Sequence, residues 1–203
     1  MHTRPNNNRI KRDETILAVI DLQERLIPAM YEGDETVERA ERLIRGCRIL
    51  GAPVLVTQQY TRGLGETVNA VAAALTEALP ADKDGLGAVP AAEFVPVEKT
   101  SFSAMGAQDF VLRLKASGKK NILLCGVEAH VCVLQSGLDM LASGFNVFFV
   151  SDIISSRKRG DTEAAFRRMA AAGAAETTYE SALFELLEGA KESGFKQISG
   201  LVK

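Results

Sequence analysis

The chain has 203 residues, of which 46% are hydrophobic and 25% are charged, and this is ordinary globular composition. Its length predicts one domain with a substantial core, and no apolar run approaches the ~20 residues that a membrane-spanning helix needs. A net charge of −2 gives no electrostatic reason to expect nucleic acid or an anionic membrane as a partner.

The N-terminal segment, residues 1–14, is polar and basic and lacks the apolar core of a signal peptide. We interpret it as a flexible arm that precedes a single domain over residues 15–203. The three cysteines, an odd number in a chain with no export signal, predict free thiols in the cytoplasm.

Strands and helices alternate along the chain. The predicted strands cover residues 15–20, 54–57, 94–97, 121–125, 146–150 and 175–178. The predicted helices cover residues 34–50, 67–79, 107–116, 131–144, 161–172 and 180–191, with caps at Asp34 and Asp161, and residues 80–93 are predicted to be irregular. This rhythm predicts a three-layer α/β/α domain with a six-stranded, mostly parallel sheet of order 3-2-1-4-5-6.

Three predicted strands end beside an ionisable residue. Asp21 follows the first strand, Lys99 the third and Cys132 the fourth, the last in the first turn of a helix. The carboxyl ends of parallel strands share one edge, where open α/β sheets bind their ligands. A helix start favours a thiolate, Asp21 would take the thiol proton, and Lys99 would hold the resulting charge. Cys132 is therefore a candidate nucleophile.

Three segments in this order resemble the isochorismatase-like cysteine hydrolases. They are residues 18–23 (AVIDLQ), 98–104 (EKTSFSA) and 124–133 (LCGVEAHVCV), and the resemblance extends over residues 15–187. Within that superfamily the chain looks most like the isochorismatase domain-containing proteins, through Gln59-Tyr60, residues 63–65 and residues 126–128.

The resemblance implies a role for each member of the trio: Asp21 as general base, Lys99 as its charged partner and Cys132 as nucleophile. It also implies a cis peptide bond between Val127 and Glu128, and an oxyanion hole made by the backbone amides of Glu128 and Cys132. The implied reaction is attack on an amide-type carbonyl, a thioester intermediate and hydrolysis by water.

Departures from the family pattern limit the substrate and the cofactor. Nicotinamidases carry an Asp and two His residues for a metal, whereas His2 and His130 of this chain stand at other positions. We therefore predict no metal. No glycine follows the first strand, which disfavours NAD or FAD, so we predict no cofactor.

Four further side chains are candidates for the substrate pocket, with ordinary loop packing as the alternative: Gln23, Gln59, Tyr60 and Phe102. His130 lies two residues from Cys132 on a predicted helix, so the two side chains should diverge, and His130 fits a pocket rim or a subunit contact. Cys47 and Cys125 fall on predicted apolar faces and are expected to be core residues.

Together these features predict a cofactor-free hydrolase of a small amide, ureide or related carbonyl compound. The alternative from another class is a non-catalytic interaction protein with a degenerate pocket. A third possibility is redox sensing by Cys132 with Cys125 or Cys47 as the resolving thiol. The expected partners are a small-molecule substrate and, from the resemblance, further copies of the chain in a homo-oligomer, with no nucleic acid and no membrane.

Overall fold

A six-stranded sheet forms the centre of the protein; the structure, a computed structural model, describes residues 9–81 and 87–203. The strands are β1 (Thr15–Ile20), β2 (Val54–Gln59), β3 (Val97–Lys99), β4 (Asn121–Val127), β5 (Asn146–Ser155) and β6 (Ala175–Thr177). Their order is β3-β2-β1-β4-β5-β6, and all neighbouring strands pair in parallel. The predicted strand order is confirmed.

Helices flank the sheet. They are α1 (Gly33–Ile49), α2 (Thr61–Leu64), α3 (Asn69–Thr76), α4 (Gln108–Ala116), α5 (Leu134–Ala142), α6 (Arg159–Ala172), α7 (Tyr179–Leu187) and α8 (Phe195–Leu201). Helix α1 packs against α3, α7 and α8, whereas α5 packs against α6. Right-handed crossovers place these two groups on opposite faces of the sheet, which gives the predicted three layers. In the described part of the chain, no helix is both long and apolar enough to cross a membrane.

The two central strands, β1 and β4, are buried along their whole length. Both are near-continuous apolar runs, as expected for strands covered by helices on both faces. The chain leaves β1 towards one edge of the sheet and leaves β4 towards the other, so the switch point of the topology lies between them. A crevice at the carboxyl ends of strands is typical of such a point.

Gly126 allows β4 to pass close to β1 just before the switch point. Its φ is +118°, and a Cβ atom there would lie 2.0 Å from the backbone oxygen of Ile20. Because backbone on both sides would have to move, we expect Gly126→Ala to lower the free energy of unfolding by about 2–4 kcal/mol, measured by urea denaturation.

Gly118 is the matched control, since its φ is also positive (+67°) but no heavy atom lies within 4 Å of the Cβ position. Gly118→Ala should lower the free energy of unfolding by only about 1 kcal/mol, which is the cost of a left-handed backbone conformation for a residue with a Cβ atom. Equal losses for the two variants would show that the close approach at Gly126 does not matter.

Strand β3 begins later than predicted. Residues 94–97 were expected to form it, whereas it consists of Val97–Lys99. Pro96 has no N–H to donate to a ladder, so pairing with β2 starts only after it. The correction places Lys99 inside the strand, as its last residue.

Other boundaries also differ from the predictions. Helix α1 begins one residue before Asp34, with Glu32 at the cap position, and α6 begins two residues before Asp161. Strand β5 extends to Ser155, because pairing with β4 resumes after an irregularity. The last predicted helix stops at Leu187, and α2 and α8 were not predicted. The predicted irregular segment, residues 80–93, lies partly outside the described residues.

The described part of the N-terminal segment packs on the domain, unlike the predicted flexible arm. Ile10 is only 1% exposed, and its backbone N–H donates to a carboxylate oxygen of Glu185 on α7 at 2.8 Å. A 3-10 turn at Arg12–Glu14 then leads into β1. The apolar side chain of Ile10 and the acceptor on α7 account for the difference. Residues 1–8 lie outside the described residues.

Candidate active site

Asp21 and Lys99 form a buried ion pair at the carboxyl edge of the sheet. Asp21 follows β1 directly, and Lys99 ends β3, two strands away. The Lys99 Nζ lies 2.7 Å from Asp21 Oδ2, and both side chains are 0% exposed. A buried charge is tolerated when it is paired and hydrogen-bonded. The structure therefore brings together two of the three residues proposed from the sequence.

Every donor of the Lys99 ammonium has an acceptor within reach. Besides Asp21, Nζ contacts Gln59 Oε1 at 2.7 Å and the backbone oxygens of Ser101 at 3.2 Å and Phe102 at 3.0 Å. An ammonium group has three N–H bonds, so four acceptors saturate it. Lys99 is thereby fixed in place as a charge beside Asp21.

Cys132 lies in a π-helical turn, Ala129–Val133, between β4 and α5. Its thiol lies close enough to Asp21 and Lys99 for both charges to act on its pKa. Burial, the largest cause, and the Asp21 carboxylate raise the pKa of the Cys132 thiol, the Lys99 ammonium lowers it, and the net result is a pKa of about 12. The group is therefore a thiol at neutral pH, unlike the thiolate that the helix start was expected to favour. Such a thiol needs a base.

The backbone before Cys132 contains the cis peptide bond, Val127–Glu128, that the resemblance implied. The Glu128 carbonyl accepts the amides of Val131 at 3.1 Å and Val133 at 3.2 Å, on either side of the Cys132 amide. The Glu128 side chain pairs with Arg157 at 2.9 Å. The two amides assigned to an oxyanion hole thus belong to one short segment, Glu128 at the cis bond and Cys132 within the turn that follows it.

Gln23, one of the four candidates for the substrate pocket, is buried and contacts neighbouring backbone, as in the packing alternative. It is 0% exposed, and its amide nitrogen donates to the backbone oxygens of Gln59 at 3.1 Å and Gly65 at 2.7 Å. Its Oε1 accepts the backbone N–H of Gln59 at 2.7 Å. The Gln59 side chain in turn accepts from Lys99 and donates to the Thr100 carbonyl. Both glutamines therefore hold the end of β2 and Lys99.

Tyr60 and Phe102, the other two predicted pocket residues, are 52% and 54% exposed. Their backbones are tied to Lys99: the Tyr60 N–H donates to the Lys99 carbonyl at 2.9 Å, and the Phe102 carbonyl accepts from Nζ. Both residues are thus about half exposed, and their backbones contact Lys99. Substrate contact remains a prediction for both.

The remaining histidine and cysteines lie apart from this chemistry. The His130 ring nitrogen Nδ1 lies 3.0 Å from Ser156 Oγ, which fits the expected divergence from Cys132. Cys47 and Cys125 are fully buried, and burial raises the pKa of both thiols. Among residues 9–81 and 87–203, no three His, Cys, Asp or Glu side chains are grouped as metal ligands.

Thr57 was missed by the sequence analysis. Its hydroxyl donates to Asp21 Oδ1 at 2.6 Å, so the carboxylate is held at both oxygens. A signal was available: Thr57 and Gln59 are two residues apart on a strand, and such side chains share one face. Gln59 was considered from the sequence and Thr57 was not.

A comparison with family models supports what the fold and the residues indicate. The model described as "Isochorismatase domain" matches residues 15–181, which includes every residue of the site. The chain belongs to the isochorismatase family. The family is one of hydrolases, which supports a hydrolytic role for the residues at the carboxyl ends of β1, β3 and β4.

Relatives in this isochorismatase family include vertebrate proteins. "Isochorismatase domain-containing protein 2" of Danio rerio is 33% identical over 96% of the chain and 89% of its own length. "Isochorismatase domain-containing protein 1" of Salmo salar is 36% identical over 93% of the chain, which spans 61% of the salmon protein.

Solved structures share the whole isochorismatase fold. A Caenorhabditis elegans protein described as MAR1 ribonuclease superposes with a TM-score of 0.83 at 36% identity, over 96% of this chain and 92% of that one. YcaC from Pseudomonas aeruginosa, solved with hexane-2,5-diol and covalent acrylamide, has a TM-score of 0.83 at 25% identity, over 98% and 93%.

Proposed function

We propose that this isochorismatase-family protein is a cofactor-free cysteine hydrolase that cleaves a small amide, ureide or related carbonyl compound through a thioester on Cys132. One observation carries the proposal. The Asp21 carboxylate, fixed by Lys99 at 2.7 Å, lies close enough to Cys132 for its charge to raise the pKa of a thiol that cannot ionise by itself near neutral pH. A base, a cation and a sulfur at one edge of the sheet are what nucleophilic attack on a carbonyl requires.

In the proposed first step, the Cys132 sulfur attacks the carbonyl carbon while its proton passes to Asp21. The negative charge that develops on the carbonyl oxygen is stabilised by the backbone N–H groups of Glu128 and Cys132. The tetrahedral intermediate collapses, the C–N bond breaks, and the leaving ammonia or amine takes the proton from Asp21. A thioester remains on Cys132.

In the second step, a water molecule attacks the thioester carbonyl. Asp21 takes a proton from the water, and the same two amides stabilise the second tetrahedral intermediate. The C–S bond breaks, the carboxylic acid leaves, and the sulfur regains its proton. Lys99 keeps its contacts throughout, because its charge balances Asp21 and its donors are already occupied.

The raised pKa of Cys132 leads to a prediction for the free enzyme. The thiolate is the form that iodoacetamide alkylates, and with a pKa of about 12 its fraction still grows throughout the neutral and mildly alkaline range. Alkylation of Cys132, followed by peptide mass spectrometry, should accelerate about tenfold per pH unit between about pH 7 and 10. A plateau near pH 8 would indicate a preformed thiolate and would contradict base activation.

Asp21→Asn gives this prediction a second readout. The Asp21 charge raises the pKa of Cys132, so its removal should lower that pKa and speed alkylation at any given pH. Turnover should fall in the same variant, because the base is lost. Thermal melting must show that Asp21→Asn is folded, because unfolding would also expose Cys132, lower its pKa and speed alkylation.

One neighbour supports a reactive nucleophile in this fold. The Pseudomonas aeruginosa YcaC structure carries covalent acrylamide, a compound whose vinyl carbon alkylates nucleophiles and whose amide stays intact in that reaction. The direct experiment is an ammonia-release screen over amides and ureides with the wild type, followed by intact-mass detection of an acylated Cys132. A substrate that is hydrolysed at unchanged rate without Cys132 would overturn the proposal.

Hydrolysis of RNA is a second candidate, because the Caenorhabditis elegans neighbour at 36% identity is described as a ribonuclease. The net charge of −2 and the saturated ammonium of Lys99 do not favour binding of phosphates. Incubation of a labelled RNA with the wild type and with Cys132→Ala tests this candidate. Cleavage that depends on Cys132 would favour RNA over the amide.

We also propose a homo-oligomer, a dimer or larger, located in the cytoplasm and acting on a small molecule. The octameric hydrolase YcaC of Escherichia coli has the same fold, with a TM-score of 0.77 at 24% identity. Light scattering of the purified chain tests this assembly. The non-catalytic alternative, an interaction protein with a degenerate pocket, predicts an ammonia-release screen without any hit and no acylated Cys132 in intact-mass spectra.

A further inference from the structure

Thr57 is a buried residue of β2 that touches the proposed base. The side chain is 0% exposed, and its hydroxyl donates to Asp21 Oδ1 at 2.6 Å while Lys99 donates to Oδ2 at 2.7 Å. The two donors come from different strands and bind different oxygens. Each oxygen of the Asp21 carboxylate therefore accepts a hydrogen bond from a different strand.

Two anchors matter because a carboxylate turns easily about its last bond. The torsion of an Asp carboxylate is broad, without sharp rotamer wells, so its direction is set by hydrogen-bond partners. With Lys99 alone, both oxygens could turn towards the one ammonium. With Thr57 holding Oδ1, the plane of the carboxylate is fixed, and so is the direction from which it accepts the Cys132 proton.

We propose that Thr57 is a positioning residue that orients Asp21 for proton transfer from Cys132. The inference rests on the proposed function, since it assigns a role to Thr57 in the same reaction. Thr57 acts through Asp21 and need not contact the substrate. Its loss should therefore slow the chemical step and leave substrate binding in place.

Three variants test the proposal. Thr57→Val keeps the shape and removes the hydroxyl, and Thr57→Ser keeps the hydroxyl. Thr15→Val is the matched control, since Thr15 is also a buried strand threonine that donates a hydrogen bond, but at the opposite end of β1, to the Lys11 carbonyl. Thermal melting of all three shows which are folded. If Thr57→Val does not fold, Thr57→Ala replaces it.

Turnover is measured on the best amide from the screen and on p-nitrophenyl acetate as a general acyl donor. For Thr57→Val we expect kcat to fall about 10- to 100-fold, the range for a lost hydrogen bond to a charged group, with KM changed less than about twofold. Thr57→Ser should recover kcat to within about threefold, and Thr15→Val should equal the wild type.

The outcomes separate the two proposals. If wild-type acylation is lost in Cys132→Ala but kcat is the same in Thr57→Val and wild type, the positioning role is wrong and the hydrolase proposal stands. If Thr57→Val raises KM alone, or Thr57→Ser is as slow as Thr57→Val, the positioning role is also wrong. If neither compound acylates Cys132 in the wild type, both the hydrolase proposal and the positioning role are wrong.

Discussion

Lys99→Met is expected to lower the free energy of unfolding by about 3–5 kcal/mol, because it leaves the buried carboxylate of Asp21 without its ammonium partner. The two side chains are 0% exposed, so water cannot replace the lost contact. Methionine fills much of the volume of the lysine stem, and the loss therefore reports on charge more than on packing. Activity should disappear in the same variant.

Urea denaturation measures this effect, with two comparisons. Arg159→Met removes an ion pair with Glu163 whose side chains are 72% and 52% exposed, and it should change stability by less than about 0.5 kcal/mol. Combining Lys99→Met with Asp21→Asn removes both buried charges and should recover much of the stability, though not the activity. A single Lys99→Met variant as stable as Arg159→Met would show that the pair is not desolvated.

The residues of the ion pair could be predicted from the sequence because parallel topology is highly constraining. Once strands alternate with helices, the ends of the first, third and fourth strands must lie along one edge. Asp21, Lys99 and Cys132 could therefore be placed near one another without knowledge of any contact. The family resemblance added the cis peptide bond between Val127 and Glu128, which spacing alone does not indicate.

The details that sequence reasoning missed depend on packing. Whether Gln23 faces a pocket or ties down β2 depends on the loop that passes over it, and that loop brings the Gly65 carbonyl within 2.7 Å of its amide. The raised pKa of Cys132 likewise depends on burial, which cannot be read from a local motif. Pro96 could have corrected the start of β3, because proline cannot donate to a ladder.

Burial of Cys125 and Cys47 makes redox sensing the weakest of the three functional hypotheses. Cys125 and Cys47 are 0% exposed, on a central strand and on α1, and burial raises the pKa of both thiols. A resolving cysteine reacts as a thiolate and must reach its partner. Neither Cys125 nor Cys47 is a thiolate near neutral pH. The buried sulfurs instead contribute to the core beneath the site.

Cys132→Ala is expected to reduce turnover at least about 10⁴-fold and to abolish the acyl adduct in intact-mass spectra, because no other group can form the thioester. Cys132→Ser should be nearly as inactive, since a hydroxyl is far harder to deprotonate than a thiol and Asp21 would have to remove its proton. Cys125→Ala is the matched control: it deletes a buried sulfur on the preceding strand, costs some stability through the cavity and should keep turnover within a few-fold. Turnover preserved in Cys132→Ala, with the adduct on another residue, would move the chemistry away from Cys132. Loss confined to Cys132 variants would locate it at a sulfur whose pKa responds to both the Asp21 carboxylate and the Lys99 ammonium.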